Sequence, residues 1–145
     1  MSEILLYNAP QSTCSQRVRF VLHAKGQPFA EQKLDLFSGD QLKPEYLAIN
    51  PNGVVPAMIH DGETIIDSAV IIEYLDEVFP APAPLRPTTP AGIAKMRAMM
   101  RFIGEIPAPA IRVPSYYLAF LPHFQTMTEE AFVALTDLGS RCLAT

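Results

Sequence analysis

No stretch of this chain approaches the roughly 20 consecutive apolar residues of a membrane span. No basic patch of the kind that nucleic acid requires is present either. Acidic residues exceed basic ones, 15 against 11, and the signs are interspersed, for a net charge of −4. Cysteine is scarce. Cys14 and Cys142 lie far apart, with no CxxC pair and no zinc-ligand spacing, which fits a reducing compartment and suggests no metal. The opening segment, MSEILLY, carries Glu3 and is too short for a secretory signal. No internal repeat is found. These absences leave a soluble, cytoplasmic protein that works with neither membrane nor nucleic acid. Apolar residues are plentiful: 49% of the 145 residues are hydrophobic, enough for a core and too many for disorder. The length suits one ordinary domain, or one and a fraction.

The stretch from Asn50 to Phe79 organises the rest. Asn50-Pro51-Asn52-Gly53 is a turn built from residues that set or tolerate unusual backbone angles. Val54-Val55-Pro56 leads into Ala57-Met58-Ile59, and Asp61-Gly62 separates that run from Thr64-Ile65-Ile66. Two short apolar runs around Asp-Gly predict a β-hairpin with a type I′ turn. Asp67-Ser68 then opens a helix, with Ser68 a good N-cap. Its apolar face is Ile71, Ile72, Leu75, Val78 and Phe79, and Pro80 stops it. Pro56 stands at a strand entrance, where a cis peptide is cheap. A cis Pro56 would turn the N–H and C=O of Val55 outward, where an extended peptide could pair with them. The start of the Ser68 helix, with free N–H groups and partial positive charge, would suit a carboxylate.

Upstream, Ile4–Tyr7 predicts a buried strand, and a helix starts between Ser12 and Ser15 and ends at Gly26. Val18, Val21 and Leu22 mark its buried face. Phe29–Leu36 predicts a second strand, parallel to the first. A short helix over Pro44–Ile49 precedes the hairpin. Downstream the composition shifts: nine of the 14 prolines lie at or after Pro80, five of them between Pro80 and Pro90. Residues 80–89 therefore read as a stiff linker. Thr89 caps a helix with Pro90 at its first position, with Ile93, Met96, Met100 and Ile103 at helical spacing. Pro107, Pro109 and Pro114 should break or kink that pattern. Thr128 caps a last helix with a stripe of Phe132, Leu135, Leu138 and Cys142.

Ser12 stands where the first strand hands over to the first helix. A ligand thiolate placed there would accept a hydrogen bond from the hydroxyl and feel the helix N-terminus. A free thiol has a pKa near about 8.5, so only about 3% is thiolate at pH 7. Lowering it by roughly 2 units takes about 2.7 kcal/mol, which one charge-assisted hydrogen bond and a helix end can supply. The competing reading makes Ser12 a helix cap alone.

Val55-Pro56, the hairpin and Asp67-Ser68 together resemble the glutathione-binding half of the cytosolic glutathione transferases. Ser12-Thr13-Cys14-Ser15-Gln16-Arg17-Val18-Arg19 is similar to the active-site stretch of the serine-type members, especially the zeta and phi classes. The resemblance covers roughly residues 4 to 105. It implies an α/β thioredoxin-like N-terminal domain, βαβαββα with a mixed four-stranded sheet, over residues 1–79. The linker 80–89 would lead to an all-α domain over 90–145 that looks truncated. By the same resemblance Ser12 activates the glutathione sulfur and Val55, followed by Pro56, pairs with the cysteinyl backbone. Asp67 and Ser68 hold the γ-glutamyl end, and Gln41 contacts the glycyl carboxylate. Tyr116, Tyr117 and Phe120 line an apolar pocket for a small electrophile. The family is usually a homodimer and detoxifies electrophiles. Leu85-Arg86-Pro87 and Met96-Arg97 further resemble bacterial β-etherase-like members, which use glutathione to open aryl ethers.

Two other functions compete with conjugation. Cys14 could form a mixed disulfide with glutathione, making the protein a thiol-disulfide oxidoreductase, although relatives of that kind carry Cys at the position of Ser12. The fold could also serve as a non-catalytic binding module. His23, His60 and His123 have no visible partner, and Glu129-Glu130 suits the first turn of a helix. The family's helical domain has five or more helices, whereas about 55 residues after Pro90 make only two long helices or slightly more. The expectation is an N-terminal part of a longer protein, or a partner chain over the gap, with Phe132 and Leu135 against that chain or left largely bare.

Overall fold

The computed structural model describes residues 3–134. They divide into two compact units, the first ending at Pro84 and the second covering Leu85–Ala134. The first unit is built on a four-stranded sheet. Strand β1 (Ile4–Asn8) alternates buried and half-buried residues, as its apolar run requires. Helix α1 (Thr13–Ala24) follows and returns the chain to β2 (Ala30–Lys33), parallel to β1. A 3₁₀ turn (Asp40–Leu42) and α2 (Pro44–Leu47) carry the chain to β3 (Ala57–His60) on the other side of β1. β4 (Glu63–Ile66) pairs with β3, and α3 (Ser68–Val78) closes the unit. The strand order is β2-β1-β3-β4, with β1 antiparallel to β3 and β3 to β4. This is the mixed sheet and βαβαββα order of a thioredoxin-like domain, as the sequence predicts.

The core is one cluster: Ile4 and Leu6 of β1, Val18, Val21 and Leu22 of α1, Met58 of β3, and Ile71 and Leu75 of α3. Each large side chain buried there contributes about 1.5–3 kcal/mol. The end of α1 is a Schellman motif: Gly26 N–H donates to His23 O and Gln27 N–H to Leu22 O, with Gly26 at φ 63°. The β3–β4 turn has both central residues at positive φ, Asp61 at 49° and Gly62 at 88°, as a type I′ turn demands. Two buried charges join α1 to α3. The Lys25 ammonium lies 2.5 Å from the Asp76 carboxylate, with side-chain exposures of 0% and 4%.

Several expectations need correction. β2 spans four residues rather than Phe29–Leu36, and all four are exposed at one edge of the sheet. The cap of α3 is Asp67, not Ser68. The Asp67 carboxylate accepts from Ala69 N–H at 2.8 Å and Val70 N–H at 3.1 Å, so Ser68 becomes the first helical residue. Val78 is 41% exposed and off the buried face of α3. His60 is not partnerless: its Nδ1 lies 2.7 Å from the Tyr74 hydroxyl.

The regular structure of the second unit is all helical among the described residues, joined by short turns. Thr89 caps α4 (Pro90–Glu105) by accepting from Gly92 N–H at 3.1 Å. The pattern breaks at Ile106, as expected, and Pro107 occupies the first turn of a new helix, α5 (Pro107–Ser115). Pro114 sits inside α5, and the chain then widens into a π-helical turn (Tyr116–Phe120) before α6 (Leu121–Phe124). A proline cannot donate one turn back, and such widening is how a helix absorbs the loss. The Ser115 hydroxyl donates to Ile111 O at 2.8 Å beside that gap. Thr128 accepts from Ala131 N–H at 3.2 Å, the cap that the sequence predicts. Phe132 is 42% exposed, while Leu135, Leu138 and Cys142 lie outside the described residues.

Candidate functional site

The register of the sheet decides which loops meet. Tyr7, next to last in β1, faces Ala57, the first residue of β3, and Ala57 faces Ile66, the last of β4. Asn8, the last residue of β1, faces Lys33, the last of β2. The segments holding Ser12, Gln41, Val55-Pro56 and Asp67-Ser68 therefore all leave the sheet at one end. That end is also where the chain departs to opposite sides of β1, the place where ligands settle in open α/β sheets.

Ser12 is half-buried at the N-cap of α1, and its Oγ accepts from Ser15 N–H at 3.2 Å. The loop before it is braced by residues of the same short stretch. Ser12 N–H donates to Ala9 O at 3.1 Å. Arg19 reaches Asn8 Oδ1 and Pro10 O, and the Ser15 hydroxyl accepts from Ala9 N–H. Accepting one bond leaves the Ser12 hydroxyl hydrogen to be donated, so capping and thiolate donation use different parts of one group. Cys14 is a free, half-buried thiol within the first turn of α1.

The Val55–Pro56 peptide bond is cis, as the sequence predicts, and the Ala81–Pro82 bond is cis as well. Two buried side chains converge on the preceding carbonyl. Tyr46 Oη–H donates to Val54 O at 2.7 Å, and Asn50 Nδ2 donates to it at 2.6 Å. Burial pushes the Tyr46 phenol up to about 12. Among the described residues, none makes a hydrogen bond to the N–H or C=O of half-buried Val55. A donor and an acceptor thus stand side by side, held by a braced neighbour.

Asp67 has φ 66°, a left-handed value that costs a non-glycine residue of order 1–3 kcal/mol. The strained turn sets its carboxylate over the first N–H groups of α3. Ser68 is 4% exposed, and its Oγ accepts from Arg17, whose Nε lies at 2.9 Å and whose Nη2 also donates to it. Arg17 thereby ties α1 to the start of α3. Gln41 is half-buried in the 3₁₀ turn, with its side-chain oxygen buried and without a hydrogen-bond partner. The loop carrying it is fixed by two carboxylates. Hydrogen bonds from Ser38 and Phe37 hold Asp35 below the usual carboxylate range, and Lys43 does the same for Asp40.

Tyr116, Tyr117 and Phe120 belong to the second unit. Tyr116 and Phe120 stack at 4.7 Å, while Tyr117 is 71% exposed. A shallow depression lined by His23, Gly26, Pro28 and Phe29 lies at the far end of α1 from Ser12. Among the described residues, no three His, Cys, Asp or Glu side chains are grouped to hold a metal ion. No described helix is long and apolar enough to cross a membrane. Arg17, Arg19, Tyr46 and Asn50 were not singled out from the sequence as residues of this region. Arg17 and Arg19 were signalled only by membership of the Ser12–Arg19 stretch that carries the resemblance, Asn50 only by the turn it opens, and Tyr46 only by the short helix predicted over Pro44–Ile49.

A four-stranded β2-β1-β3-β4 sheet with a cis-proline loop, a capped α1 and a capped α3 at one end is a thioredoxin-like domain. Residues 6–83 match the family model of the glutathione S-transferase N-terminal domain, and the chain belongs to that family. It is 34% identical over 131 residues to a zeta-class glutathione S-transferase from Euphorbia esula, covering 77% of this chain and 56% of that protein. It is 31% identical over 128 residues to Protein LigF from Sphingobium sp., covering 88% of this chain and 50% of that one. The solved structure of beta-etherase LigF superposes with a TM-score of 0.83 at 30% identity, covering 90% of this chain and 54% of the other. A glutathione transferase homologue from Sulfitobacter with bound glutathione superposes at 0.71 and 26% identity, covering 99% and 66%. The chain spans about half the length of the curated relatives it matches.

Proposed function

We propose that this chain is the glutathione-handling part of a glutathione transferase. Residues 1–79 form the binding domain, 80–89 a linker and 90–145 part of a helical domain. Glutathione lies across the shared end of the sheet. Its cysteinyl backbone pairs with the N–H and C=O of Val55, and the cis bond to Pro56 keeps that pairing edge outward. Asp67 and Ser68 take the γ-glutamyl end. Gln41 takes the glycyl carboxylate, its side-chain amide turned so that nitrogen replaces the orphaned oxygen. Ser12 donates its hydroxyl hydrogen to the thiolate. The observation that carries the reading is the unpaired donor and acceptor of Val55 at the sheet end where Ser12 caps α1.

The thiolate attacks an electrophilic carbon: a C–S bond forms, and a leaving group departs or an acceptor bond takes the electron pair and a proton. That electrophile is small and hydrophobic. The protein acts as a homodimer in the cytoplasm, in detoxification chemistry. A second reading narrows the substrate to β-aryl ethers, with the phenolate as leaving group. The match to LigF over nine-tenths of the chain favours it. Isothermal titration with glutathione, followed by a screen of aryl halides, epoxides, maleyl compounds and β-aryl ethers, tests both. Binding with turnover is expected. No binding at millimolar glutathione would leave a scaffold, and Cys14→Ala abolishing activity while Ser12→Ala keeps it would replace conjugation by disulfide exchange.

A further inference from the structure

We propose that Asn52 is a site of spontaneous deamidation, slowed by bound ligand, and that its conversion to aspartate or isoaspartate loosens the loop of Val55. The part played by the ligand rests on the glutathione reading above. Asparagine is a chemically labile residue, and the chain has three. The structure shelters two of them. Asn8 is fully buried, and its side chain is held by Arg19 and by Leu6 O. Asn50 is 1% exposed; its Nδ2 donates to Val54 O at 2.6 Å, and its Oδ1 accepts from Asn52 N–H at 3.2 Å. Asn52 is exposed, and among the described residues its side-chain amide makes no hydrogen bond.

The residue that follows each asparagine separates them further. In deamidation the next backbone nitrogen loses its proton to a base in solvent and attacks the side-chain Cγ. An N–C bond forms, the bond to the side-chain nitrogen breaks, and that nitrogen takes up a proton and leaves as ammonia. Water then opens the cyclic imide at either carbonyl, giving aspartate or isoaspartate, with no change of oxidation state. Asn50 precedes Pro51, which has no N–H to lose. Asn8 precedes Ala9, whose N–H donates to the buried Ser15 Oγ. Asn52 precedes Gly53, whose nitrogen is open to close approach because no Cβ stands beside it. Asp61-Gly62 offers the same spacing, but the Asp61 carboxylate accepts from Glu3 N–H at 2.8 Å.

The fold supplies both a gate and a consequence. Gly53 N–H donates to Asn50 O at 3.0 Å across the turn that Pro51 and Asn52 form. A proton held in that bond is not free to leave, so the turn must open before the nitrogen can attack. Val55 follows Gly53 by two residues, and a peptide paired with its N–H and C=O holds the loop closed. Bound glutathione therefore slows the reaction. Isoaspartate inserts a methylene into the main chain between residues 52 and 53. The bond that closes the turn, and those from Tyr46 and Asn50 to Val54 O, lie within two residues of the insertion. Their loss frees Val55 from its bracing. The turn is thus a timer: an empty site ages, and an occupied one is preserved.

The test incubates the full chain, warm and mildly alkaline, with and without saturating reduced glutathione. Peptide mapping by mass spectrometry reads the exchange of NH₂ for OH, and isothermal titration compares fresh with aged chain. Position 52 should convert while positions 8 and 50 stay intact. Glutathione should slow conversion by about threefold or more. The converted chain should bind glutathione about 3- to 10-fold more weakly, the loss of one backbone hydrogen bond. Asn52→Gln, whose longer side chain closes the imide far more slowly, should keep its affinity through the same incubation. If that variant does not fold, fresh and aged parent chain still decide. Position 52 left intact while a free peptide NPNGV converts would overturn the proposal. So would equal conversion at position 8, equal rates with and without glutathione, or unchanged affinity after conversion. A fresh chain that binds no glutathione would remove the glutathione reading and the ligand's part in this proposal, while mass alone would still decide the modification of position 52.

Discussion

Ser12→Ala removes two interactions of one hydroxyl, and the two losses are read by different measurements. The first is the cap on Ser15 N–H at 3.2 Å. Losing an N-cap of this kind costs about 1 kcal/mol, visible as a lower urea midpoint at unchanged slope. The second is donation to the glutathione thiolate. A hydrogen bond to a charged group contributes about 1.5–3 kcal/mol, equivalent to roughly 1–2 pKa units. If the bound thiol titrates roughly 2 units below the free value of about 8.5, about three-quarters is thiolate at pH 7. Raising it by about 1.5 units leaves about a tenth. The deficit should be largest near about pH 7, between the two titrations, and fade below about pH 5 and above about pH 9. The assay is ultraviolet thiolate absorbance of the bound ligand across pH. Rates alone mislead, since a more basic thiolate is intrinsically more nucleophilic. Ser12→Asp separates the two roles: it keeps a good cap but places a negative charge by the sulfur. Its stability should match the parent while its bound thiol titrates higher than in Ser12→Ala. Identical thiol titration in the parent and in Ser12→Ala would refute the donor role.

Tyr46 ties stability to alkaline pH. Its phenol titrates near 12 when folded, against 10.0 for the ordinary group, so the folded state keeps its proton where the unfolded state has lost it. Stability should fall as pH rises from about 10 to about 12, by up to about 2.7 kcal/mol, and Tyr46→Phe should flatten that slope in chemical denaturation. Lys25→Met strips the buried Asp76 of its cation and should cost about 3–5 kcal/mol. Pairing it with Asp76→Leu should recover most of that loss; a double variant no more stable than the single one would show that the ion pair is not the cause.

The parts legible in the sequence are those whose chemistry is local. Asp61-Gly62 names its own turn, Gly26 its helix end, and Thr89-Pro90 its helix start, because each acts within a few residues. The cis bond at Pro56 was legible because it stands before an internal strand. Asp67 and Ser68 were harder. Both are good caps and they are adjacent, so only the backbone at Asp67, with φ 66°, shows which one serves. The bracing partners were hidden, because nothing near Tyr46 or Asn50 in sequence shows that both converge on Val54 O. Arg17 and Ser68 are 51 positions apart. In the second unit the proline positions marked disturbance, but whether a helix breaks, restarts or widens depends on which carbonyls find other donors.

The ammonium of Lys25 also donates to Ala83 O at 2.7 Å. Residues 80–84 have no helix or strand of their own, and such a segment would ordinarily fray on its own. Here, peeling it away strips a partner from a side chain with 0% exposure, a penalty that a surface loop never meets. Its opening should therefore follow the separation of α1 from α3, making residues 80–83 part of the cooperative unit of the sheet domain. Limited proteolysis would then find the first freely cut bond beyond Pro84, where 51%-exposed Leu85 begins the second unit.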